Sequence, residues 1–295
     1  MLTNFAKKII GVVVLLVLIS ASVFYFFVFH KNTSSTPNEE IVKENNSNPQ
    51  YEVIGLSVEG RKIESYTFGS GDKHIVFVGG IHGGYEWNSV VLAYNFLDYL
   101  EVNSEVIPEN VTVSIIPSAN PDGVFKVIGK EGRFETADVP ADGLMEQGRF
   151  NSNKVDLNRN FDCKWKPDST WKGNKTSGGT APFSEPESLA IKNFVLEKKP
   201  NAVVFWHSQA NAVYASECEK GILPETLNIM NEYSNASGYS AIESFDSYEV
   251  TGDAEGWLAS IGIPAITVEL KTHEDIEWDK NLAGIKALFE YYNLK

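Results

Sequence analysis

Four short stretches carry side chains able to do chemistry: His82-Gly-Gly-Tyr-Glu86, Asp156-Leu-Asn-Arg-Asn160, Trp206-His207-Ser208 and Thr267-Val-Glu-Leu270. His82, Glu86 and His207 offer two imidazoles and a carboxylate, the donors that hold a catalytic zinc ion through three protein ligands and leave a position for water. Arg149 and Arg159 add planar guanidinium groups, which grip a carboxylate bidentately or stabilise an oxyanion. Glu269 is a carboxylate not needed as a ligand, free to take a proton from water. Together these residue types describe metal-assisted hydrolysis.

Read singly, each residue has a plainer meaning. A His and a Glu four apart are most often surface residues, and a loop arginine most often pairs with a nearby acid, here Asp156 or Asp162. Position changes the balance. His82 follows the apolar run 74–80 (HIVFVGG), and His207 closes another at 202–206, although the chain has only five histidines (His30, His74, His82, His207 and His273). Open α/β sheets place their ligands just beyond such strand ends. Glu269 lies inside the apolar run 263–270, where a charge is costly unless it is ion-paired for structure or placed for function. Beside a metal-activated water, a base is the better account of it.

The elements that must position these groups follow from periodicity. Residues 51–58 and 62–68 alternate as two strands joined through Glu59-Gly60. Runs 74–80, 111–117, 202–206 and 263–270 read as buried strands. Residues 87–100 and 278–292 carry apolar side chains at helical spacing, and Ser184 with Glu187 reads as an N-cap and capping box opening a helix to about residue 196. Between 117 and 184 lies a Gly-, Asn- and Asp-rich stretch too long for a plain connection, which marks it as functional. The expected fold class is α/β: a three-layer α/β/α sandwich with a mixed, mostly parallel twisted sheet, preceded by one N-terminal transmembrane helix.

That helix is expected because residues 9–29 carry no charge, and such a run spans a bilayer core as helix. Lys7 and Lys8 precede it, so the positive-inside bias places the following domain outside the cytoplasm. The organisation is then residues 1–30 as a signal-anchor, 31–50 as a flexible polar linker and 51–295 as the catalytic domain. A cleaved signal peptide ending near Ser20-Ala-Ser22 is the alternative, which would leave the domain secreted. Of the net charge of -14, residues 1–50 contribute +1, leaving -15 on the remainder. Such acidity argues against nucleic-acid partners. Cys163 and Cys218 are the two cysteines, and an oxidising compartment invites a disulfide between them, with two buried thiols as the alternative.

The four motifs, taken together over residues 51–292, resemble the zinc metallocarboxypeptidase family, related to the digestive carboxypeptidases. The resemblance implies one zinc ion per chain on His82, Glu86 and His207, with Glu269 as general base and proton shuttle. It implies that Asn158 and Arg159 hold the terminal carboxylate of a peptide, that Arg149 polarises the scissile carbonyl, and that Tyr248 is the mobile tyrosine closing over the terminal residue. The segment after that tyrosine lines the specificity pocket in the resembling enzymes, and here offers Asp253 and Glu255. A carboxylate there favours C-terminal Lys or Arg, or the free amine of a diamino acid in a cell-wall peptide; alternatively both are solvent-facing loop acids.

This chain departs from the pattern in three ways. Three residues rather than two separate His82 from Glu86, so Gly83 and Gly84 must let the turn bulge. The loop 120–156 is not that of the digestive enzymes, which makes Arg133 a rival for Arg149, and no large N-terminal inhibitory domain fits in the linker. The expected activity is a membrane-anchored, extracytoplasmic zinc carboxypeptidase acting on peptides. A peptidoglycan stem-peptide (diaminopimelate) peptidase or amide deacylase on the same scaffold is one alternative, and an inactive, membrane-tethered peptide-binding module is another.

Overall fold

The computed structural model describes residues 48–141 and 146–295. β1 (Gln50–Leu56) and β2 (Lys62–Gly69) form the expected antiparallel hairpin; β3 (Lys73–Val78) leads through a tight 3-10 turn (Gly83–Glu86) into α1 (Trp87–Val102) and back to β4 (Val111–Ile116). α2 (Pro121–Ile128) follows, then a long loop bearing a small hairpin, β5 (Asp168–Trp171) and β6 (Asn174–Ser177), before α3 (Pro186–Lys198) and β7 (Ala202–Ser208). The last third holds β8 (Ala212–Ala215), the short pair β9 (Glu217–Cys218) and β10 (Gly221–Ile222), α4 (Pro224–Ser237), β11 (Ser240–Ile242), α5 (Ala254–Ser260), β12 (Ala265–Leu270) and α6 (Trp278–Asn293).

Eight strands join in the order β1-β2-β4-β3-β7-β12-β8-β11. The sheet is mixed: β4, β3, β7 and β12 run parallel, whereas β1, β2 and the β12–β8 pair are antiparallel. Alternation along the central strands sends side chains to two faces. Ile75, Phe77, Val204 and Trp206 pack with Phe96, Tyr233 and Phe289, from α1, α4 and α6, on one face. Val76, Val78, Val203 and Phe205 pack with Phe194 of α3 and Trp257 of α5 on the other. All seven residues of β7 are buried, as expected of a parallel strand covered on both sides.

The same alternation aims the catalytic candidates. His207 continues the series of Val203 and Phe205, and Glu269 stands directly beside it in the parallel β7–β12 ladder. Both therefore project onto the face covered by α3 and α5, at the carboxyl ends of their strands, where open α/β sheets bind ligands.

Three local differences from expectation have physical causes. The helix after residue 184 has Glu185 rather than Ser184 at its N-cap position, without a side-chain cap bond, and Pro186 in its first turn. The Ser184 hydroxyl is engaged by the loop instead: it accepts from Asn160 Nδ2 at 3.0 Å and donates to Glu185 Oε1 at 2.9 Å. The aperiodic stretch contains α2, opened by Asn120, whose side chain accepts from Gly123 N with Pro121 at the start. α4 and α5 were also not anticipated; α5 opens at Asp253, whose carboxylate accepts from Gly256 N at 2.6 Å. Among the described residues no helix is long and apolar enough to cross a membrane. The expected span, residues 9–29, lies outside the described residues, as does the linker up to residue 47.

Candidate active site

The turn after β3 solves the spacing problem between His82 and Glu86. Gly83 adopts φ +49°, and a Cβ there would stand 2.5 Å from the carbonyl oxygen of Gly148, so only glycine fits without displacement. The 3-10 turn carries the extra residue, Tyr85, and delivers Glu86 to the two imidazoles. His82 Nδ1 lies 2.8 Å from Glu86 Oε1; His207 Nδ1 lies 3.1 Å from Glu86 Oε2 and 3.2 Å from His82 Nδ1. All three residues are buried.

These separations test the fit of a metal. Four-coordinate zinc with metal–nitrogen bonds of about 2.0–2.1 Å keeps its donor atoms about 3.3 Å apart, close to the spacing seen. Of the distal nitrogens, His207 Nε2 is 3.0 Å from Glu255 Oε1, and His82 Nε2, without a hydrogen bond, stands 3.5 Å from Asp156 Oδ1. Such partners fix the tautomer of a ligating histidine and raise its basicity. Asp156, Glu255 and Glu269 add carboxylates around the triad against the guanidinium groups of Arg149 and Arg159, an excess of negative charge that a divalent cation neutralises. The residues present fit zinc.

The electrostatics carry the same signature. Burial works against the charge of Glu86, yet His82 and His207 hold its carboxyl well below the usual range. Burial likewise opposes protonation of His207, but Glu86 and the hydrogen bond to Glu255 raise it well above the ordinary imidazole value. Asp156, despite burial, is held far below the carboxylate range by the Arg149 charge and by His82. Glu269 goes the other way: burial pushes it up to about 7, with the Glu86 and Glu255 charges adding and His207 opposing. Its Oε2 is buried without a hydrogen-bond partner, which is the environment of a proton acceptor near neutral pH.

The triad and Glu269 line one cavity of about 600 Å³, together with Arg149, Asn158, Arg159, Tyr248 and Glu255. Arg149 is buried and donates from Nε to Asp156 Oδ2 at 2.9 Å, with Nη1 3.7 Å from Glu86 Oε1. It is thus both paired with an acid and poised beside the triad. Arg133, its rival, pairs with Asp98 and covers the Tyr94 ring on the outer surface, away from the cavity. Arg159 is buried with its Nε unpartnered, and Asn158 Oδ1 accepts from Ala254 N at 2.8 Å, tying this loop to the start of α5. Tyr248 is 39% exposed, its ring 4.7 Å from Phe245. Asp253 and Glu255 are not solvent-facing loop acids. Glu255 is buried, accepts from Thr267 Oγ1 at 3.0 Å and leaves Oε2 without a partner; Asp253 is pushed up to about 6 by burial and by the Glu255 charge.

The disulfide closes the same wall. Cys163 and Cys218 are bonded, with Cα atoms 6.1 Å apart, which sets aside the alternative of two thiols. Phe161 N donates to Gly252 O and Gly252 N to Cys163 O, so the bridge secures the segment between Arg159 and Asp253. Sequence reasoning treated Asp156 only as an ion-pair partner and passed over Trp171, Lys172 and His273. Asp156 sits in the quoted motif two residues before Asn158, the signal that could have marked it; the other three carry no local signal.

A mixed sheet with helices on both faces thus carries, at its strand ends, a His-Glu-His triad able to hold a metal ion. The zinc carboxypeptidase family matches residues 36–282, and the chain belongs to that family. It is 28% identical over 238 residues to gamma-D-glutamyl-L-diamino acid endopeptidase 1 of Lysinibacillus sphaericus, covering 74% of this chain and 59% of that one. To carboxypeptidase O of Bos taurus it is 27% identical over 249 residues, covering 74% and 63%. The chain spans less than two thirds of the length of these relatives. Among solved structures, murein-tripeptide amidase MpaA from Escherichia coli O157 aligns with TM-score 0.60 at 22% identity, covering 84% of this chain and 95% of that one. Bovine thrombin-activatable fibrinolysis inhibitor aligns at 0.66 and 19%, covering 83% and 90%. These structural likenesses speak to the fold.

Proposed function

We propose that this chain is a zinc-dependent peptidase that releases the C-terminal residue of a peptide, and that the released residue is a diamino acid of a cell-wall stem peptide. The observation that carries the reading is Glu269 standing in register beside His207, its carboxyl held near neutrality and open to the cavity that the triad lines. Zinc on His82, Glu86 and His207 supplies Lewis acidity, which activates water and polarises a carbonyl. Glu269 Oε2 takes a proton from the attacking water as the hydroxyl adds to the scissile carbon, and returns it to the leaving nitrogen as the C–N bond breaks. The Arg149 guanidinium offsets the oxyanion, and Arg159 with Asn158 holds the terminal carboxylate.

Asp253 and Glu255 support this choice of leaving residue. A side-chain ammonium reaching the unpartnered Glu255 Oε2 would meet a charge-assisted hydrogen bond in a buried setting. The diamino-acid endopeptidase relative supports this substrate class. The same acidic end accommodates a C-terminal lysine on an ordinary peptide bond, the second reading, which the carboxypeptidase relatives support. The uncharged run at residues 9–29, preceded by Lys7 and Lys8, supports placing the enzyme on the outer side of a cell membrane, anchored through that run.

The deciding experiment offers the zinc-loaded chain two substrates ending in the same diamino acid, one joined through a γ-glutamyl bond and one through an α-peptide bond, each also with the C-terminal carboxylate amidated. Release of the diamino acid from the γ-linked substrate, abolished by amidation, is expected. Cleavage confined to the α-linked substrate would favour the ordinary carboxypeptidase, and cleavage of the amidated forms would remove Arg159 from its assigned role.

A further inference from the structure

Beside Glu86, a second group of touching side chains borders the cavity: Tyr85, Trp171, Lys172 and His273. Tyr85 meets Trp171 edge-on at 5.2 Å and His273 at 4.7 Å. The Lys172 ammonium stands 5.0 Å from the centre of the Trp171 ring and 5.5 Å from that of Tyr85, and donates to the Tyr85 hydroxyl at 2.8 Å. Among the described residues no carboxylate lies within ion-pair distance of it. Lys172 is exposed at the border of the cleft, and in a chain of net charge -14 its ammonium, held by two aromatic faces and the Tyr85 hydroxyl, is open to an anion.

The hairpin that carries Lys172 is fixed to the catalytic loop. Trp171 and Asn174 pair across a two-residue turn in which Lys172 and Gly173 both have positive φ, the tight form that matches strand twist. At its base, Asp156 N donates to Ser177 O at 3.0 Å, and Ser169 Oγ lies 3.0 Å from Thr251 Oγ1. Trp171 carries a second cation, since the Arg149 guanidinium stands 4.5 Å from its ring centre. One indole therefore spaces Lys172 from Arg149, with the two cations no more than about 10 Å apart.

We propose that Lys172 binds the free carboxylate of a glutamyl residue on the acyl side of the scissile bond. The inference rests on the peptidase reading above: with the leaving residue at Arg159 and Glu255, the acyl residue extends across the triad towards Tyr85 and Trp171. A glutamyl group joined through its γ-carboxyl keeps its α-carboxylate three carbons from the scissile carbonyl, about 5 Å when extended. An α-linked glutamate keeps its side-chain carboxylate at the same separation. Either spans the gap between a carbonyl polarised by Arg149 and an ammonium one ring away.

The test measures kcat/KM of the zinc-loaded full chain on two matched pairs with the same C-terminal diamino acid: γ-glutamyl with a free α-carboxylate against its α-carboxamide, and α-linked penultimate glutamate against glutamine. In whichever pair is cleaved, the wild type is expected to prefer the carboxylate by about tenfold, chiefly through KM. Lys172→Met should remove that preference, Lys172→Glu should invert it, and Lys172→Arg should keep it. Cleavage without a preference in the wild type, or with a preference that Lys172→Met leaves intact, overturns the role of Lys172 and leaves the peptidase reading standing. Failure to cleave any of the four substrates overturns the peptidase reading and this inference with it.

Discussion

The two sides of the cleft are held by different means. His207 and Glu269 belong to adjacent parallel strands, buried between helical layers and joined by backbone hydrogen bonds at every turn of the ladder. Arg149, Asn158 and Arg159 lie in a stretch whose regular pieces near the site are only three or four residues long. Their positions come from side-chain hydrogen bonds to Asp156, from Asn160 bridging to Gly178, Ala181 and Ser184, and from the disulfide. The proposed base and the histidine beside it thus sit on the hydrogen-bonded sheet, and the residues proposed to hold the substrate sit where sequence can vary without disturbing that sheet.

If the division is real, damage to each side should read out differently. Glu269→Gln on the strand side is expected to lower kcat by about 10²–10⁴-fold while stoichiometric zinc and KM stay near the wild-type values. A general base must be ionised, so kcat/KM should fall as pH drops through the Glu269 pKa. That pKa is about 7 without metal, and a cation in the triad lowers it, so the acid limb belongs below pH 7 and should vanish in the Gln variant. A limb that persists there would assign the base elsewhere.

Asp156→Asn strikes the loop side, loosening Arg149 and the orientation of His82 together. Zinc affinity should weaken by about 10–100-fold, with KM rising more than kcat falls; competition with a chelator and steady-state kinetics read both. Replacing Cys163 and Cys218 together by Ser should have the mildest effect on turnover. Loss of a bridge closing 55 residues of chain should cost about 2–4 kcal/mol of stability, measured by denaturant unfolding, and raise KM through the slackened 159–253 wall. A kcat loss comparable with that of Glu269→Gln would show that the two sides are not independent.

The same contrast explains what could be read from the chain beforehand. β3, β7, β12, α1 and α6 announce themselves because burial on one face imposes a period on the sequence and burial on both imposes an unbroken apolar run, and His82, His207 and Glu269 stand out as polar residues interrupting or ending those runs. β8 and β11, with four and three residues, are too short to show a period. α2 and α5 left only capping signals, Asn120-Pro121 and Asp253, which local reading passed over. At α3 the cap was misplaced by one residue, because Ser184 spends its hydroxyl on Asn160 and Glu185, a competition visible only in three dimensions. The contact of Glu255 with His207 joins residues 48 apart in sequence, and the stack of Lys172 on Tyr85 joins residues 87 apart; neither has a local trace. The three-residue spacing between His82 and Glu86 was legible as a demand for a bulge, and Gly83 meets it.

The pairing of Glu269 with His207 also makes the site a gauge of correct assembly. Side chains alternate along a strand, so sliding β12 against β7 by one residue would turn Glu269 away from the cavity and bring Val268 or Leu270 towards it. A slip of β7 would remove His207 from the triad altogether. A chain in the wrong register would therefore take up the metal poorly or hold it beside an apolar side chain, and metal occupancy in a freshly folded population would count the molecules whose central strands had found their proper partners.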